Sequence, residues 1–324
     1  MRLLHVRDAG PRTTVEDIGR RGVARWGIPT GGAFDPLALI AANRLVGNRD
    51  DEAGLEITLG GPTLANGGDE PLALALSGTD CDARLVHGAA SVPVRPGVAV
   101  TLAPGDVLRV GFARSGARAW LAVAGGIAVP RVVGSRSTAL AAGFGGFAGR
   151  ALARGDALPV GVPQRPVPPA RTGAAWREPA PPAACMPLVL HVLPGPQLGA
   201  FPGDALRALA DTVWRVNRDS DRTGVRLDPA DDEPPAALRG VPGIAPEGTT
   251  LGAIQVPPDG RPIVLGPDRP VTGGYAKPAV VAVADVGRLA SLRPGDTLRL
   301  APVSLDEALG LADARRAALP PRPS

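Results

Sequence analysis

The chain has 324 residues, enough for about two domains at roughly 150 residues each. It is 44% hydrophobic but only 3% aromatic, so it can bury a largely aliphatic core, and its 43 glycines and 37 prolines suit a turn-rich β architecture better than a helical one. The formal charge is +4, from 35 basic and 31 acidic residues that alternate along the chain. The longest basic runs are pairs such as Arg20-Arg21 and Arg315-Arg316, and no basic stripe interleaved with aromatics occurs, which argues against a nucleic-acid partner. The N-terminus meets charge at Arg2, Arg7 and Asp8 before any signal core can form, and the longest apolar run, Ala119 to Pro130, is cut by glycines and too short to span a bilayer. With Cys81 and Cys185 far apart and no CxxC, the expectation is a soluble cytoplasmic protein with reduced thiols and no membrane partner.

In chain order, Asp35 followed by Pro36 opens a helix over Pro36–Val46 that Gly47-Asn48 stops. Apolar alternation then predicts strands at Leu72–Leu76, Val98–Leu102 and Trp120–Val123. Nine prolines between residues 159 and 187 make a stiff connector. Beyond it come strands at Val189–Leu193 and Ile263–Leu265, a helix over Asp204–Asp211 with an acidic cap, a buried run at Ala279–Ala284, and a terminal helix from Leu305. The expected organisation is an N-terminal β domain over 1–158, the linker 159–187, a C-terminal β domain over 188–304 and a tail with a short helix over 305–324.

The two halves echo each other. Leu4-His5-Val6 recurs as Leu190-His191-Val192. Pro104-Gly105-Asp106-Val107-Leu108-Arg109 recurs as Pro294-Gly295-Asp296-Thr297-Leu298-Arg299, a turn followed by a strand in each case. The offsets of 186 and 190 residues are those of one duplicated unit.

Chemistry concentrates in the second half. Of the 35 basic residues, 34 are arginine and one is Lys277. A lone lysine in such a background marks a place for a compact, three-donor ammonium rather than a planar fork. It ends Thr272-Gly273-Gly274-Tyr275-Ala276-Lys277, whose glycines allow a φ > 0 or tight geometry and close approach of a ligand. Asp268 precedes this segment, so an acid, a hydroxyl, a phenol and an ammonium fall within ten residues. Gln255, between Ile254 and Val256, is either a buried amide that needs partners or an outward-facing one. Arg222 and Arg226 flank Gly224 and suit bidentate capture of a carboxylate. In the first half, Asp17 and Asp35 are candidate ligand residues, Asp35 equally a helix cap, and Gly134-Ser135-Arg136-Ser137-Thr138 is either an anion nest or a polar loop. No Walker A loop exists, because Pro278 follows the only lysine, and no Ala-Met-Lys-Met site for covalent biotin exists. His5, His87 and His191 lack metal-ligand spacing, so no metal site is expected.

The segments Thr13 to Arg20, Gly31 to Asp35, Leu55 to Pro62, Gly134 to Thr138, Asp221 to Leu227, Gly252 to Gly260 and Thr272 to Lys277 together resemble the carboxyltransferase-like family. It comprises the C component of 5-oxoprolinase, the second component of allophanate hydrolase, kinase-inhibitor antagonists and half of the urea carboxylase carboxyltransferase domain. The chain departs from the family pattern at Glu16, Thr223, Pro246 and Ala276. The resemblance implies tandem cyclophilin-like β-barrels with a few short helices. It further implies the C component of an ATP-dependent 5-oxoprolinase complex, inactive alone, using ATP with Mg as counterion and working with a cyclophilin-like B-type partner and an A-type partner. On that reading Lys277 stabilises charge at the activated lactam oxygen and Asp268 orients it. Gln255, Tyr275 and Thr272 contact the lactam, and Arg222 or Arg226 takes the carboxylate. The alternatives implied are a biotin-dependent carboxyltransferase half acting on urea or another amide, and a non-enzymatic antagonist of a kinase inhibitor.

Overall fold

Strands dominate the computed structural model, which describes residues 1–164 and 187–322. Most of the expected connector, residues 165–186, and Cys185 lie outside the described residues. Residues 1–21, 31–164 and 318–322 gather into one unit, and residues 22–30 and 187–317 into a second.

In the first unit eleven strands form two sheets of six and five. Leu3–Asp8, Thr63–Asn66 and Val107–Arg109 are adjacent in the larger sheet, while Gly54–Thr58, Arg118–Val123 and Leu72–Gly78 are adjacent in the other. Alternation sends Leu4, Val6, Leu64 and Leu108 from one sheet and Leu55, Ile57, Leu74, Leu121 and Val123 from the other into one core. The smaller sheet uses its second face as well. The helix Pro36–Leu45 lies there, where Ala42 and Leu45 meet Ala73, Ala75, Ala99, Ala122 and Ala124. Small residues on the sheet leave room for a helix backbone to approach. The helix starts where the sequence predicts: the Asp35 carboxylate accepts the Leu37 and Ala38 N–H groups at 3.0 and 3.3 Å, and Pro36 occupies the first turn.

The second unit is a closed seven-stranded barrel, with Leu188–Pro194, Ala276–Val281, Ala253–Val256, Ile263–Leu265, Gly224–Pro229, Trp214–Val216 and Thr297–Pro302 in spatial order. The protein is thus mostly β with a few short helices, as the tandem cyclophilin-like reading requires. The repeated Pro-Gly-Asp turns are built alike. Asp106 Oδ2 accepts Ala103 N–H at 2.9 Å, and Asp296 Oδ2 accepts Arg293 N–H at 2.8 Å.

Two local expectations change. The run Ala279–Ala284 is not one element: the strand ends at Val281, and Val283–Val286 is a short helix. There the Asp285 carboxylate turns in to accept the His191 N–H at 2.7 Å and to bond Arg288 at 2.9 Å. In Ala205–Asp211, Asp204 occupies the cap position but its side chain makes no cap hydrogen bond. The terminal helix Leu305–Ala317 packs on Val283–Val286, with Arg315 donating to the Ala284 carbonyl at 2.7 Å. Among the described residues no helix is long and apolar enough to cross a membrane.

Candidate functional site

One barrel strand carries the lone lysine, and its irregularity explains the site. Between Ala253–Val256 and Ala276–Val281 the register runs Ile254 to Ala279 and then Val256 to Ala276, so Lys277 and Pro278 together stand opposite Gln255. This is a β-bulge. It is also where a closed barrel tolerates a proline that cannot donate to a ladder. The Lys277 backbone bonds instead to Gln197: its N–H donates to Gln197 Oε1 at 3.3 Å, and its carbonyl accepts Gln197 N–H at 3.2 Å.

The Lys277 side chain is 3% exposed, and its Nζ lies 2.9 Å from Glu247 Oε1. Gln197 Nε2 donates to the same oxygen at 2.9 Å. The hydrogen bond from Lys277, and then that from Gln197, hold the Glu247 carboxyl below the usual carboxylate range, so it is ionised at neutral pH. An ammonium has three donors. One goes to Glu247 and a second makes only a long contact of 3.5 Å with the Tyr275 carbonyl, which leaves donor capacity for a ligand.

Gln255 is 5% exposed, so it is a buried amide even though it stands on the outer face of its strand, covered by the segment at Gly273. Its Nε2 has no hydrogen-bond partner among the described residues, and an unpaired buried donor costs about 1–3 kcal/mol. It lies under Gly273, where an added Cβ would fall 2.3 Å from Nε2. Neither Gly273 nor Gly274 has positive φ, so close packing, not left-handed backbone, explains Gly273. Thr272–Gly273 pairs with Glu247–Gly248, which ties the segment above Gln255 to the partner of Lys277. Tyr275 and Thr272 are exposed beside this cluster.

The remaining candidate residues go to other partners. Arg222, 2% exposed, grips Asp268 bidentately: Nε to Oδ2 is 2.8 Å and Nη2 to Oδ1 is 3.0 Å. The two are therefore each other's counterions, and neither has a described contact with Lys277. Arg226 is exposed on Gly224–Pro229 and lines a groove of about 340 Å³. In the first unit Asp35 caps its helix, as described above. Asp17 fills the suspected nest from within. Its Oδ1 accepts the Ser135 and Ser137 hydroxyls at 2.6 and 2.7 Å and the Gly19 N–H at 2.8 Å, while Oδ2 accepts the Arg136 N–H at 2.6 Å. The anion that this loop binds is the protein's own carboxylate. Glu247 and Gln197 carry little signal in the sequence. The only hint of Glu247 is its place between Pro246 and Gly248, and Gln197 carries none.

A closed barrel bearing a buried ammonium beside a buried, unpaired amide defines a β-barrel protein with a polar, lysine-centred site. The family profile for the carboxyltransferase domain, subdomain A and B, matches residues 26–302, and the chain belongs to that family. Its relatives include the 5-oxoprolinase C subunit of Escherichia coli strain K12, 36% identical over 95% of this chain and 93% of that protein. Another is the urea amidolyase of Lachancea kluyveri, 31% identical over 97% of this chain but only 18% of that protein. The crystal structure of TTHA0988 superposes with a TM-score of 0.77 at 35% identity, covering 94% of this chain and 56% of that one.

Proposed function

We infer that this chain is the C component of an ATP-dependent 5-oxoprolinase, and that its barrel site binds the lactam of 5-oxoproline for hydrolysis to L-glutamate. The observation that carries the reading is the near end-to-end match, 95% of this chain against 93% of a 5-oxoprolinase C subunit. The site chemistry supports it. A lactam presents a carbonyl oxygen that needs donors, and the spare Gln255 Nε2 and Lys277 Nζ are donors held away from bulk water. Lys277 stabilises negative charge as it develops on that oxygen, with Glu247 and Gln197 fixing its position, and Tyr275 and Thr272 border the opening.

ATP, with Mg as counterion, supplies the activation of the lactam. The residues around Lys277 do not fit a triphosphate, because one ammonium that already balances the Glu247 carboxylate cannot also balance several phosphate charges. We therefore assign the nucleotide to a partner protein of the complex. The purified chain alone should show no ATPase or lactamase activity. Adding the B-type and A-type partners should restore 5-oxoproline-dependent phosphate release, and robust turnover by the chain alone would sink the assignment.

The same site gives a sharper test of positioning. In Gly273→Ala the new methyl meets chiefly the far end of the Gln255 side chain, so the amide is displaced while the fold adjusts cheaply. Melting should change little, and turnover of the complex should fall on the order of 10²-fold, as it does when a catalytic donor is misplaced by about 1 Å. Unchanged turnover would remove Gln255 from the mechanism.

The match to urea amidolyase favours a second reading, one half of a biotin-dependent carboxyltransferase. Urea-dependent turnover with biotin carboxylase and biotin-carrier partners, and none with 5-oxoproline, would establish it instead.

A further inference from the structure

We propose that the groove beside the barrel site is a carboxylate subsite, with Arg226 as its anchor, so that the site selects a small amide that also carries a carboxylate. This rests on the lactam-binding reading and adds the determinant of substrate class. The register connects the two places. Arg226 stands opposite Ile263, and Ile263 opposite Gln255, across three adjacent antiparallel strands. Directly paired residues project on one face. The neighbouring row of Val225, Val264, Ile254 and Ala279 is buried or nearly so in the barrel, so Arg226, Ile263 and Gln255 share the outer face. At about 4.8 Å per strand, Arg226 and Gln255 are about 10 Å apart at Cα, and the groove extends from Arg226 to Ile263, the residue directly opposite Gln255.

The charges of the groove leave this guanidinium available. Asp228 is occupied by Asn217 Nδ2 at 2.5 Å and Arg261 Nη1 at 2.6 Å, and Asp259 Oδ1 accepts the Arg261 N–H at 3.0 Å. Asp219 has Arg218 at 3.9 Å. The Arg226 guanidinium has no described ion pair or side-chain hydrogen bond, yet its backbone is fixed. Its N–H donates to Ser220 Oγ at 3.0 Å, and its carbonyl accepts Asn217 N–H at 2.9 Å. A fork held at its base and unpaired at its tip is set to take a planar carboxylate bidentately. Asp219, Asp228, Asp259, Arg226 and Arg261 line the groove, and with Arg261 on Asp228, Arg226 is the lining cation that has no described ion pair. Arg222, buried on Asp268, cannot serve this purpose without giving up its partner.

The experiment is calorimetric titration of the full chain with 5-oxoproline, 2-pyrrolidinone (the same lactam without the carboxylate) and urea, using wild type, Arg226→Lys and Arg226→Gln. Wild type should bind 5-oxoproline about 10–100-fold more tightly than 2-pyrrolidinone, the range for a hydrogen-bonded charge. Arg226→Gln should erase that preference by weakening 5-oxoproline alone, and Arg226→Lys should recover part of it. A wild-type preference that persists in Arg226→Gln overturns the subsite and leaves the lactam reading standing. Preference for urea over both lactams overturns the lactam reading itself. No binding of any of the three to the wild-type chain overturns the subsite.

Discussion

Lys277→Arg is expected to lower kcat of the reconstituted complex by on the order of 10²–10³ while the chain still folds and still joins its partners. That is the usual effect of removing one donor aimed at charge that develops during reaction, about 3–4 kcal/mol. The loss falls on kcat because the interaction strengthens in the transition state, whereas ground-state binding uses other contacts. The guanidinium keeps the charge, but it is planar, larger and directed as a fork. The Lys277 side chain is 3% exposed, with its head group between the Glu247 carboxylate and the Tyr275 carbonyl, and close packing leaves a larger group little room on the buried side. The fork would therefore extend along Glu247 towards solvent. Lys277→Met should be equally inactive and also folded, because the partner left behind, Glu247, is 44% exposed and can return to water. Steady-state kinetics of the complex beside melting curves of both variants check this. Near-normal kcat in Lys277→Arg would mean that the ammonium is not at the chemistry.

What could be read from the sequence divides along the range of the interactions. The helix at Pro36–Leu45 was legible because its start signals are local: a capping acid, a proline in the first turn and a glycine stop. The Pro-Gly-Asp turns were legible twice for the same reason. Lys277 stood out through composition. The partners that define its role did not, because Glu247 and Gln197 lie 30 and 80 positions away and reach it only through the bulge and the short ribbon above Gln255. Arg222 and Arg226 looked equivalent in sequence, four residues apart around Gly224. What separates them is the strand boundary and one long-range acid: Arg226 stands on Gly224–Pro229 and faces the open groove, whereas Arg222 lies in the turn before it and is drawn onto Asp268. Asp17 reads in sequence as a candidate ligand residue, but its partners in Ser135 to Ser137 lie about 120 residues on, so local sequence carries no sign that its carboxylate binds its own loop.

That separation gives Arg222 an effect on stability rather than on substrate affinity. Its fork joins the turn before Gly224–Pro229 to the segment that leads into Thr272 and Gly273, and the backbone repeats the tie through Asp268 N–H donating to the Arg222 carbonyl at 3.1 Å. Removing one partner of a buried pair strands the other, typically at about 3–5 kcal/mol. Asp268 keeps 18% exposure, so Arg222→Met belongs at the low end, about 3 kcal/mol. For a unit of this size that lowers the melting temperature by on the order of 10 °C. Arg222→Lys should lose a smaller part of it, because a point charge satisfies one carboxylate oxygen where the fork satisfied both. KM of the complex should stay within about twofold for either variant, since the guanidinium has no room for a substrate carboxylate while Asp268 holds it. The double variant Arg222→Met with Asp268→Leu should regain part of the lost stability, because the Asp268 carboxylate is then no longer stranded. A KM that rises sharply with an unchanged melting temperature would return Arg222 to the substrate and break the division of labour between the two arginines.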